Sequence, residues 1–317
     1  MTVLVADVGG TNSRLALAGP GRDVQATARR YENDLFDSFY DVLSHYRSET
    51  GLQGLSGCCV AIAGPVTPSD ARLTNRDWEF APEQIASALG MNDAARVVLI
   101  NDLVALGHAL QALSPDRLSV IRGRNGHRAQ NDQALIVGMG TGFNVCRIKG
   151  APGEDPAVAE AELGHGSLPH AVFAELQSAL GDGADIFTSN EALFSGRGLT
   201  RLYRVLSGGE ECRGQDIIAA YQHGDHADAR CTVELMARLM GLMAREMVFM
   251  YLPAGGIYYA GGAARGILGT DARASFTEAF EAPGWFDELI GQVPVSVISD
   301  DAAALIGAAR RVAELGQ

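Results

Sequence analysis

The sequence predicts a two-domain α/β protein whose two halves share one design. Its 317 residues exceed the size at which a single hydrophobic core usually stops growing. An apolar segment, a turn rich in glycine and threonine, and a second apolar segment follow one another at residues 3–17 and again at residues 134–148. Elsewhere, short apolar strands alternate with helical patterns, as in sheets built from βα units. The repeat predicts an internal duplication in which each half offers a glycine-rich hairpin to a shared cleft.

The first half opens with a predicted hairpin at residues 3–17. Its turn consists of small and polar residues, namely Gly9, Gly10, Thr11 and Asn12. The glycines allow positive φ angles and let a ligand approach the backbone closely. Asp7 lies at the end of the first strand, where a buried carboxylate is costly unless it faces a metal, a phosphate or a hydroxyl. Taken alone, the turn fits an ordinary hairpin tip equally well.

The other elements of the first half follow from apolar periodicity and local turn residues. Pro82 suits the first turn of a helix, and the buried strand at residues 96–100 ends on Asn101-Asp102. We predict strands at 24–31 and 58–62, a turn at 63–68, and a strand with a turn at 71–80. The predicted helices are 34–50, 82–89 and 103–113, with Leu35 on the apolar face of the first helix. The polar segment 114–131 predicts a domain boundary at or just before it.

The second half repeats the strand and glycine-turn pattern and then becomes mainly helical. Its predicted strands are 134–137, 145–148, 256–260 and 293–298, and its predicted helices are 171–180, 190–199, 217–221, 232–251 and 302–315. Gly261 and Gly262 form a third glycine turn at the start of a helix, where N–H groups favour a nucleotide. Methionines spaced by four and three residues predict a core stripe: Met236, Met240, Met243, Met247 and Met250. His223 and His226 are interpreted as loop residues because no ligand set for a metal accompanies them.

Composition and charge exclude several classes of function. The formal net charge of −13 argues against nucleic acid or an anionic membrane as the main partner, since both require a basic surface. No apolar run approaches the length of a membrane span, and no secretory signal pattern opens the chain. The five cysteines contain no C-x-x-C pair, and their odd number argues against a disulfide framework. We therefore expect a cytoplasmic, reducing location.

The scarcity of lysine limits how the chain can hold a phosphate. Lys149 is the only lysine, so a Gly-Lys-Ser/Thr P-loop is impossible. Backbone N–H groups and Mg²⁺ must hold the phosphates of any bound nucleotide. Three glycine turns with strand-end carboxylates at Asp7 and Asp102 indicate phosphoryl transfer by positioning. One aspartate would lie near Mg²⁺ and phosphate, and the other would act as a base toward a hydroxyl.

A second group of polar residues suits a polyol, whose hydroxyls both donate and accept hydrogen bonds. The group consists of Asn101, Asp102, Glu162, His165 and Glu191. Each member has an ordinary explanation when taken alone. Glu191 fits a charge at a helix N-terminus, Asp102 fits an N-cap, and His165 fits a surface or core histidine. Their combination is what indicates a sugar site.

These residues stand in motifs that make the chain resemble the bacterial glucokinase family of the actin-like sugar kinase superfamily. The similarity runs almost end to end. It rests on Asp7-Val8-Gly9-Gly10-Thr11-Asn12, Leu73-Thr74-Asn75 with Trp78, Ile100-Asn101-Asp102, Gly140-Thr141-Gly142, Glu162-Leu163-Gly164-His165, Ser195-Gly196 with Gly198-Leu199, and Ala260-Gly261-Gly262. The resemblance implies a duplicated actin-like (ribonuclease H-like) fold with a cleft that closes on sugar. It also implies a small domain at 1–112 plus 301–317, a large domain at 113–300, and a homodimer.

The resemblance further implies ATP-dependent phosphorylation of glucose at O6, with Asp102 as the base. Asn101, Glu162, His165 and Glu191 would bind the remaining hydroxyls. The nucleotide would be bound by Asp7, Gly9, Gly10, Thr11, Asn12, Gly140, Thr141, Gly142, Gly261 and Gly262. Mg²⁺ would enter with ATP near Asp7, without a dedicated protein cage.

One departure from the family pattern bears on the phosphate turn. The family usually continues Gly-Thr-Gly with Leu-Gly, whereas this chain has Phe143-Asn144. A kinase for another hexose or amino sugar, and an inactive sugar-binding regulator, therefore stay open as alternatives. The retained Asp102 argues against loss of catalysis. The absence of the cysteine-rich zinc motif of the repressor/open-reading-frame/kinase group disfavours that group.

Overall fold

A computed structural model describes residues 2–21, 23–67, 69–125, 131–151, 155–224, 226–284 and 286–313. The chain divides into two compact units, Met1–Leu113 with Asp300–Gln317, and Ser114–Ser299. Each unit combines helices with a central sheet. The boundaries predicted between a small and a large domain, at 112/113 and 300/301, stay a prediction.

The elements alternate along the chain in the α/β manner that the sequence predicts. The strands are β1 (Val3–Val8), β2 (Asn12–Ala18), β3 (Arg29–Glu32), β4 (Gly57–Ile62), β5 (Ala71–Arg72), β6 (Glu79–Phe80), β7 (Val97–Asn101), β8 (Leu118–Arg122), β9 (Gln133–Met139), β10 (Phe143–Lys149), β11 (Ala157–Glu160), β12 (Gly256–Ala260) and β13 (Val295–Ile298). The helices are α1 (Phe39–Thr50), α2 (Pro82–Leu89), α3 (Asp102–Ala109), α4 (His170–Leu180), α5 (Asn190–Leu193), α6 (Gly196–Leu206), α7 (Gly214–His223), α8 (Ala227–Tyr251), α9 (Gly262–Leu268), α10 (Arg273–Phe280), α11 (Asp287–Gln292) and α12 (Ala303–Ala313). No helix of the described ranges is long and apolar enough to cross a membrane.

The sheet of the first unit has the strand order β3-β2-β1-β4-β7. β1, β4 and β7 are parallel, while β2 and β3 extend the sheet as antiparallel strands. Val8 lies opposite Ile62, and Ile62 lies opposite Asn101. This register brings the carboxyl ends of the three parallel strands to one edge of the sheet, where ligands of α/β proteins commonly bind.

The sheet of the second unit has the order β11-β10-β9-β12-β13-β8. Its first five strands repeat the order and directions of the first sheet, with an antiparallel hairpin followed by parallel β9, β12 and β13. The predicted duplication is therefore confirmed at the level of topology. β8 is an additional antiparallel edge strand.

The last helix, α12, belongs to the first unit. It packs against α3 and against β1 and β4, where Leu305 and Ala308 are buried. Gly307 permits this packing, because a Cβ atom there would overlap the carbonyl oxygen of Ala105. The predicted end of this helix at residue 315 lies outside the described residues.

Several predicted boundaries in the first unit are wrong. Residues 25–27 form a short 3₁₀ turn, so β3 starts at Arg29 rather than at residue 24. α1 starts at Phe39 rather than at residue 34, since Ser38 caps it by accepting a hydrogen bond from the Asp41 N–H. Leu35 therefore lies outside the helix and is 74% exposed. The helix predicted to reach residue 113 ends at Ala109 and continues as a 3₁₀ turn.

The second unit differs from the prediction at several points. α7 and α8 begin earlier than predicted, and His223 is the last residue of α7 rather than a loop residue. The helix predicted at 190–199 is two helices, α5 and α6, because Ser195 caps a new helix by accepting from the Gly198 N–H. Met250 is 52% exposed, whereas the other four methionines of the stripe are buried as predicted. β8, β11, α10 and α11 have no counterpart in the sequence prediction.

Candidate functional site

In the first unit, the glycine turn between β1 and β2 is held by a buried asparagine. The Gly9 N–H donates to the Asn12 carbonyl at 3.0 Å and closes the turn. Asn33 Nδ2 donates to the Gly9 carbonyl at 2.8 Å, and the backbone N–H of Asn33 donates to the Thr11 carbonyl at 2.9 Å. Ser13 Oγ donates to Asn33 Oδ1 at 2.8 Å, so both ends of the buried amide are satisfied. The sequence prediction assigned no role to Asn33.

Arg76 supports the same turn from the segment that follows β5. Its Nε donates to the Gly10 carbonyl and its Nη1 to the Asn33 carbonyl, each at 3.3 Å. The guanidinium also pairs with Asp34 and lies 5.1 Å from the ring centroid of Trp78. The sequence prediction used Trp78 only as part of a motif and missed Arg76.

Asp7 has a protein partner that the sequence prediction did not name. Arg14 Nη1 lies 3.3 Å from Asp7 Oδ2, and Arg14 Nη2 lies 3.8 Å from Asp301 Oδ2. Burial raises the pKa of the Asp7 carboxyl, and the Arg14 guanidinium opposes that shift. The Arg14 guanidinium thus offsets part of the energetic cost of burying this carboxylate. Asp7 and Arg14 lie opposite each other in the β1–β2 hairpin. The tight turn predicted at residues 9–12 sets this register, so the pair could have been predicted from the sequence.

Asn101 and Asp102 lie at the same sheet edge, where β7 passes into α3. Asn101 caps the helix by accepting from the Leu103 N–H at 2.9 Å, and its Nδ2 donates to the Gly64 carbonyl at 3.2 Å. Asp102 is the first residue of α3, and its Oδ1 also accepts from the Leu103 N–H at 2.9 Å. Asn101 therefore fixes the strand end that presents the partly buried Asp102.

In the second unit, two glycine turns lie against each other. The Gly140 N–H donates to the Gly142 carbonyl at 3.0 Å, and the Gly196 N–H donates to the Gly140 carbonyl at 2.8 Å. Gly261 has φ +102°, and a Cβ atom there would lie 2.5 Å from the Met139 carbonyl oxygen. Only glycine fits this position. The ends of β9 and β12 thereby bring the two predicted nucleotide-binding turns together.

Glu191, at the start of α5, contacts the first of these turns. Its Oε2 accepts from the Phe143 N–H at 3.2 Å, and its Oε1 pairs with Arg197 Nη2 at 3.1 Å. A Cβ atom on Gly142 would lie 2.5 Å from Glu191 Oε2, so a larger residue there would displace this carboxylate. The sequence prediction named Glu191 but missed Arg197.

Glu162 and His165 lie in a short turn after β11 and are largely accessible, with side chains 73% and 80% exposed. Glu162 Oε2 accepts from Asn144 Nδ2 at 2.9 Å and lies 3.9 Å from His165 Nε2. Asn190, buried beneath the turn, donates from its Nδ2 to the Leu163 carbonyl at 2.8 Å. The turn is thus tied both to β10 and to α5.

The side chains of Phe143 and Asn144, which depart from the family pattern, both contact other residues of the second unit. The Phe143 side chain is buried, and its ring centroid lies 5.4 Å from that of Phe194. Asn144 is partly buried and directs its amide toward Glu162.

Each unit therefore gathers its share of the predicted site residues. The first unit places Asp7, the turn of Gly9, Gly10, Thr11 and Asn12, and the pair Asn101-Asp102 at one sheet edge. The second unit places Gly140, Thr141, Gly142, Gly261 and Gly262 beside Glu162, His165 and Glu191. Carboxylates and glycine turns in this arrangement are suited to binding hydroxyls and phosphates.

Comparison with known proteins agrees with this arrangement. The family model described as Glucokinase matches residues 4–315. A glucokinase of Xanthomonas euvesicatoria pv. vesicatoria is 32% identical over 323 residues, covering 97% of this chain and 93% of the relative.

Solved structures extend the similarity to the fold. Glucokinase from an Antarctic psychrotroph is 26% identical, with a TM-score of 0.77 over 99% of both chains. A ROK family glucokinase from Streptomyces griseus, in complex with glucose and AMPPNP, is 18% identical, with a TM-score of 0.69 over 99% of this chain and 100% of that one. These similarities confirm the predicted two-domain actin-like sugar kinase fold. The chain belongs to the glucokinase family.

Proposed function

We propose that the protein transfers the γ-phosphoryl group of ATP to O6 of D-glucose, giving glucose 6-phosphate and ADP. The observation that carries the proposal is Asp102, which stands in the first turn of α3 at the sheet edge that also carries the Gly9–Asn12 turn. Membership of the glucokinase family supports the choice of sugar and reaction. The glucose and AMPPNP bound by the Streptomyces griseus relative support the pair of substrates.

Asp102 is proposed as the general base. Its carboxylate would take the proton of the 6-hydroxyl as O6 forms a bond to the γ-phosphorus of ATP. The bond between that phosphorus and the β,γ-bridging oxygen breaks, and ADP leaves with the electron pair. Asn101, whose own amide is bound to Gly64 and to the Leu103 N–H, would keep Asp102 in place and contact the sugar.

The other hydroxyls of glucose are assigned to the second unit. Glu162 and His165 are accessible enough to accept and donate hydrogen bonds to a sugar. Glu191 is oriented by the Phe143 N–H and by Arg197 and would accept from a further hydroxyl. Asn101 and Asp102 of the first unit are likewise proposed to bind the sugar.

The nucleotide is assigned to the glycine turns and to Asp7. The turns formed by Gly9, Gly10, Thr11 and Asn12 and by Gly140, Thr141 and Gly142 are assigned to the phosphates, and Gly261 and Gly262 to the adenosine. Among the described residues no group of three or more His, Cys, Asp or Glu side chains is placed to hold a metal. A single carboxylate such as Asp7 suits a Mg²⁺ ion that keeps water ligands and arrives with ATP. When bound, that ion neutralises phosphate charge.

The same family similarity leads us to propose a homodimeric, cytoplasmic enzyme whose product enters glycolysis. Size determination in solution at several protein concentrations would test the dimer.

A coupled assay of sugars and phosphoryl donors tests the proposed function. Glucose, mannose, fructose and N-acetylglucosamine would each be offered with Mg-ATP, and glucose also with polyphosphate or ADP. We expect glucose with ATP to give the highest kcat/KM. Turnover of another sugar without turnover of glucose would contradict the sugar assignment. Glucose binding without turnover by any donor would indicate a regulator instead.

A further inference from the structure

Asn144 links the Gly140–Gly142 turn to the proposed sugar site. Its Nδ2 donates to Glu162 Oε2 at 2.9 Å. Its Oδ1 accepts from the Val145 N–H at 2.9 Å and from the Leu163 N–H at 3.0 Å. One amide therefore binds the side chain of Glu162 and the backbone of the residue that follows it.

Glu162 depends on such a partner for its orientation. The side chain is 73% exposed, and His165 Nε2 at 3.9 Å is beyond hydrogen-bonding distance. A long carboxylate in solvent samples many rotamers unless a donor fixes it. The Asn144 amide supplies a donor to a charged acceptor, which is the stronger kind of hydrogen bond.

Phe143, the residue before Asn144, contacts the other carboxylate of this unit that is proposed to bind the sugar. The Phe143 N–H donates to Glu191 Oε2 at 3.2 Å. Two consecutive residues at the start of β10 thus hold the two carboxylates of the second unit that are proposed to bind the sugar. Gly164 allows the sugar turn to lie directly on this strand, because a Cβ atom there would overlap the Phe143 carbonyl oxygen.

We propose that Asn144 is a positioning residue for glucose, which holds the Glu162 carboxylate in the orientation that receives a sugar hydroxyl. The inference rests on the proposed function. The loss of Asn144 should therefore weaken glucose binding and leave the chemical step and ATP binding in place.

Two substitutions test the inference by separating the donor from the acceptor of the amide. Asn144→Asp keeps an acceptor for the Val145 and Leu163 N–H groups but places a carboxylate against Glu162, whereas Asn144→Leu removes both functions. In each variant we expect the KM for glucose to rise at least about tenfold, with kcat and the KM for ATP largely unchanged. Asn92→Asp, at an exposed position of the first unit, is the matched control and should leave the KM for glucose unchanged.

A double-variant cycle shows whether the effect passes through Glu162. In the Glu162→Gln background, Asn144→Asp should raise the KM for glucose much less than it does in the wild type. An unchanged KM for glucose in Asn144→Asp, or full additivity with Glu162→Gln, would overturn the inference. Thermal unfolding of each variant separates these results from loss of the fold.

Calorimetric titration with glucose distinguishes this inference from the proposed function. A wild-type protein that binds glucose without phosphorylating it would contradict the proposed function, while weaker binding by Asn144→Asp would still support the role of Asn144. A wild-type protein that does not bind glucose would overturn both.

Discussion

At the scale of single residues, the polar groups of the candidate site are oriented by partners close by in the sheet or in the chain. Arg14 faces Asp7 across the β1–β2 hairpin. The Leu103 N–H binds both Asn101 and Asp102. Such local partners keep charged groups in a fixed orientation before a ligand arrives, which is how phosphoryl-transfer enzymes gain most of their rate.

Replacing Arg14 should destabilise the protein more than replacing an exposed arginine. Arg14→Met leaves the Asp7 carboxylate without its cation in a largely buried position, and we expect a loss of about 1–3 kcal/mol in the free energy of unfolding. Urea denaturation at neutral pH measures the loss.

Arg72 provides the matched control because it also pairs with a carboxylate, that of Glu79, but both side chains are mostly exposed. Arg72→Met should change the free energy of unfolding by no more than about 0.5 kcal/mol. Equal losses for the two variants would show that Arg14 does not offset the burial of Asp7.

At the scale of elements, the turn that joins β12 to α9 contains two glycines with different requirements. Gly261 has φ +102° and lies close to the Met139 carbonyl, whereas a Cβ atom on Gly262 would meet no atom within 4 Å. Gly261 is therefore required by the fold. No contact of the described residues requires glycine at position 262, so its role is tested through ligand binding.

Alanine at each of these two positions separates folding from binding. Gly261→Ala should lower the free energy of unfolding by about 1–3 kcal/mol because the new methyl group overlaps β9. Gly262→Ala should alter it by no more than about 1 kcal/mol, since alanine is tolerated at a helix start. If the adenosine lies here, Gly262→Ala raises the KM for ATP with at most a small change in Tm. A stable Gly261→Ala variant would contradict the geometry of the turn.

Some elements were predictable from the sequence because their signals are local. β4 is a continuous apolar run, and α2 has Pro82 at its start and Gly90 in the left-handed conformation after its end. The start of α1 was misplaced because the apolar spacing continues back to Leu35, although Ser38 is the residue that caps the helix. β8 escaped prediction since its strand character comes from pairing with β13, far along the chain, while its own Ser119 and Val120 are exposed.

The candidate site shows the same division. The glycine turns and the strand-end carboxylates were predictable because their residue types carry the signal. The residues that hold them were not predictable, because they act through contacts between distant segments of the chain. Asn33 donates a hydrogen bond to the Gly9–Asn12 turn, and Asn190 donates one to the turn after Glu162. The sequence identified Asn144 only as a departure from a family pattern. Its contact with Glu162 could not be predicted, because it depends on the pairing of β10 with β11 and on the turn that follows β11.

At the scale of the whole molecule, one strand plan is used twice, and each copy carries some of the residues proposed for the site. The first copy carries Asp102, and the second carries Glu162, His165 and Glu191. α3 follows β7 and α12 follows β13, and both helices belong to the first unit. A duplicated plan explains why corresponding strand ends in both units bear glycine turns, a feature suited to binding phosphates.

The rate of glucose 6-phosphate formation by the Asp102→Asn variant tests the central claim most directly. Asparagine keeps a hydrogen-bonding group of the same size but cannot take the proton, so kcat with Mg-ATP should fall by about 10²–10⁴-fold. Calorimetry should show glucose binding largely retained. Asp93→Asn, at an exposed position that caps a short 3₁₀ turn, is the control and should keep wild-type kcat. A near-normal kcat in Asp102→Asn would contradict the account and move the base to Asp7 or elsewhere.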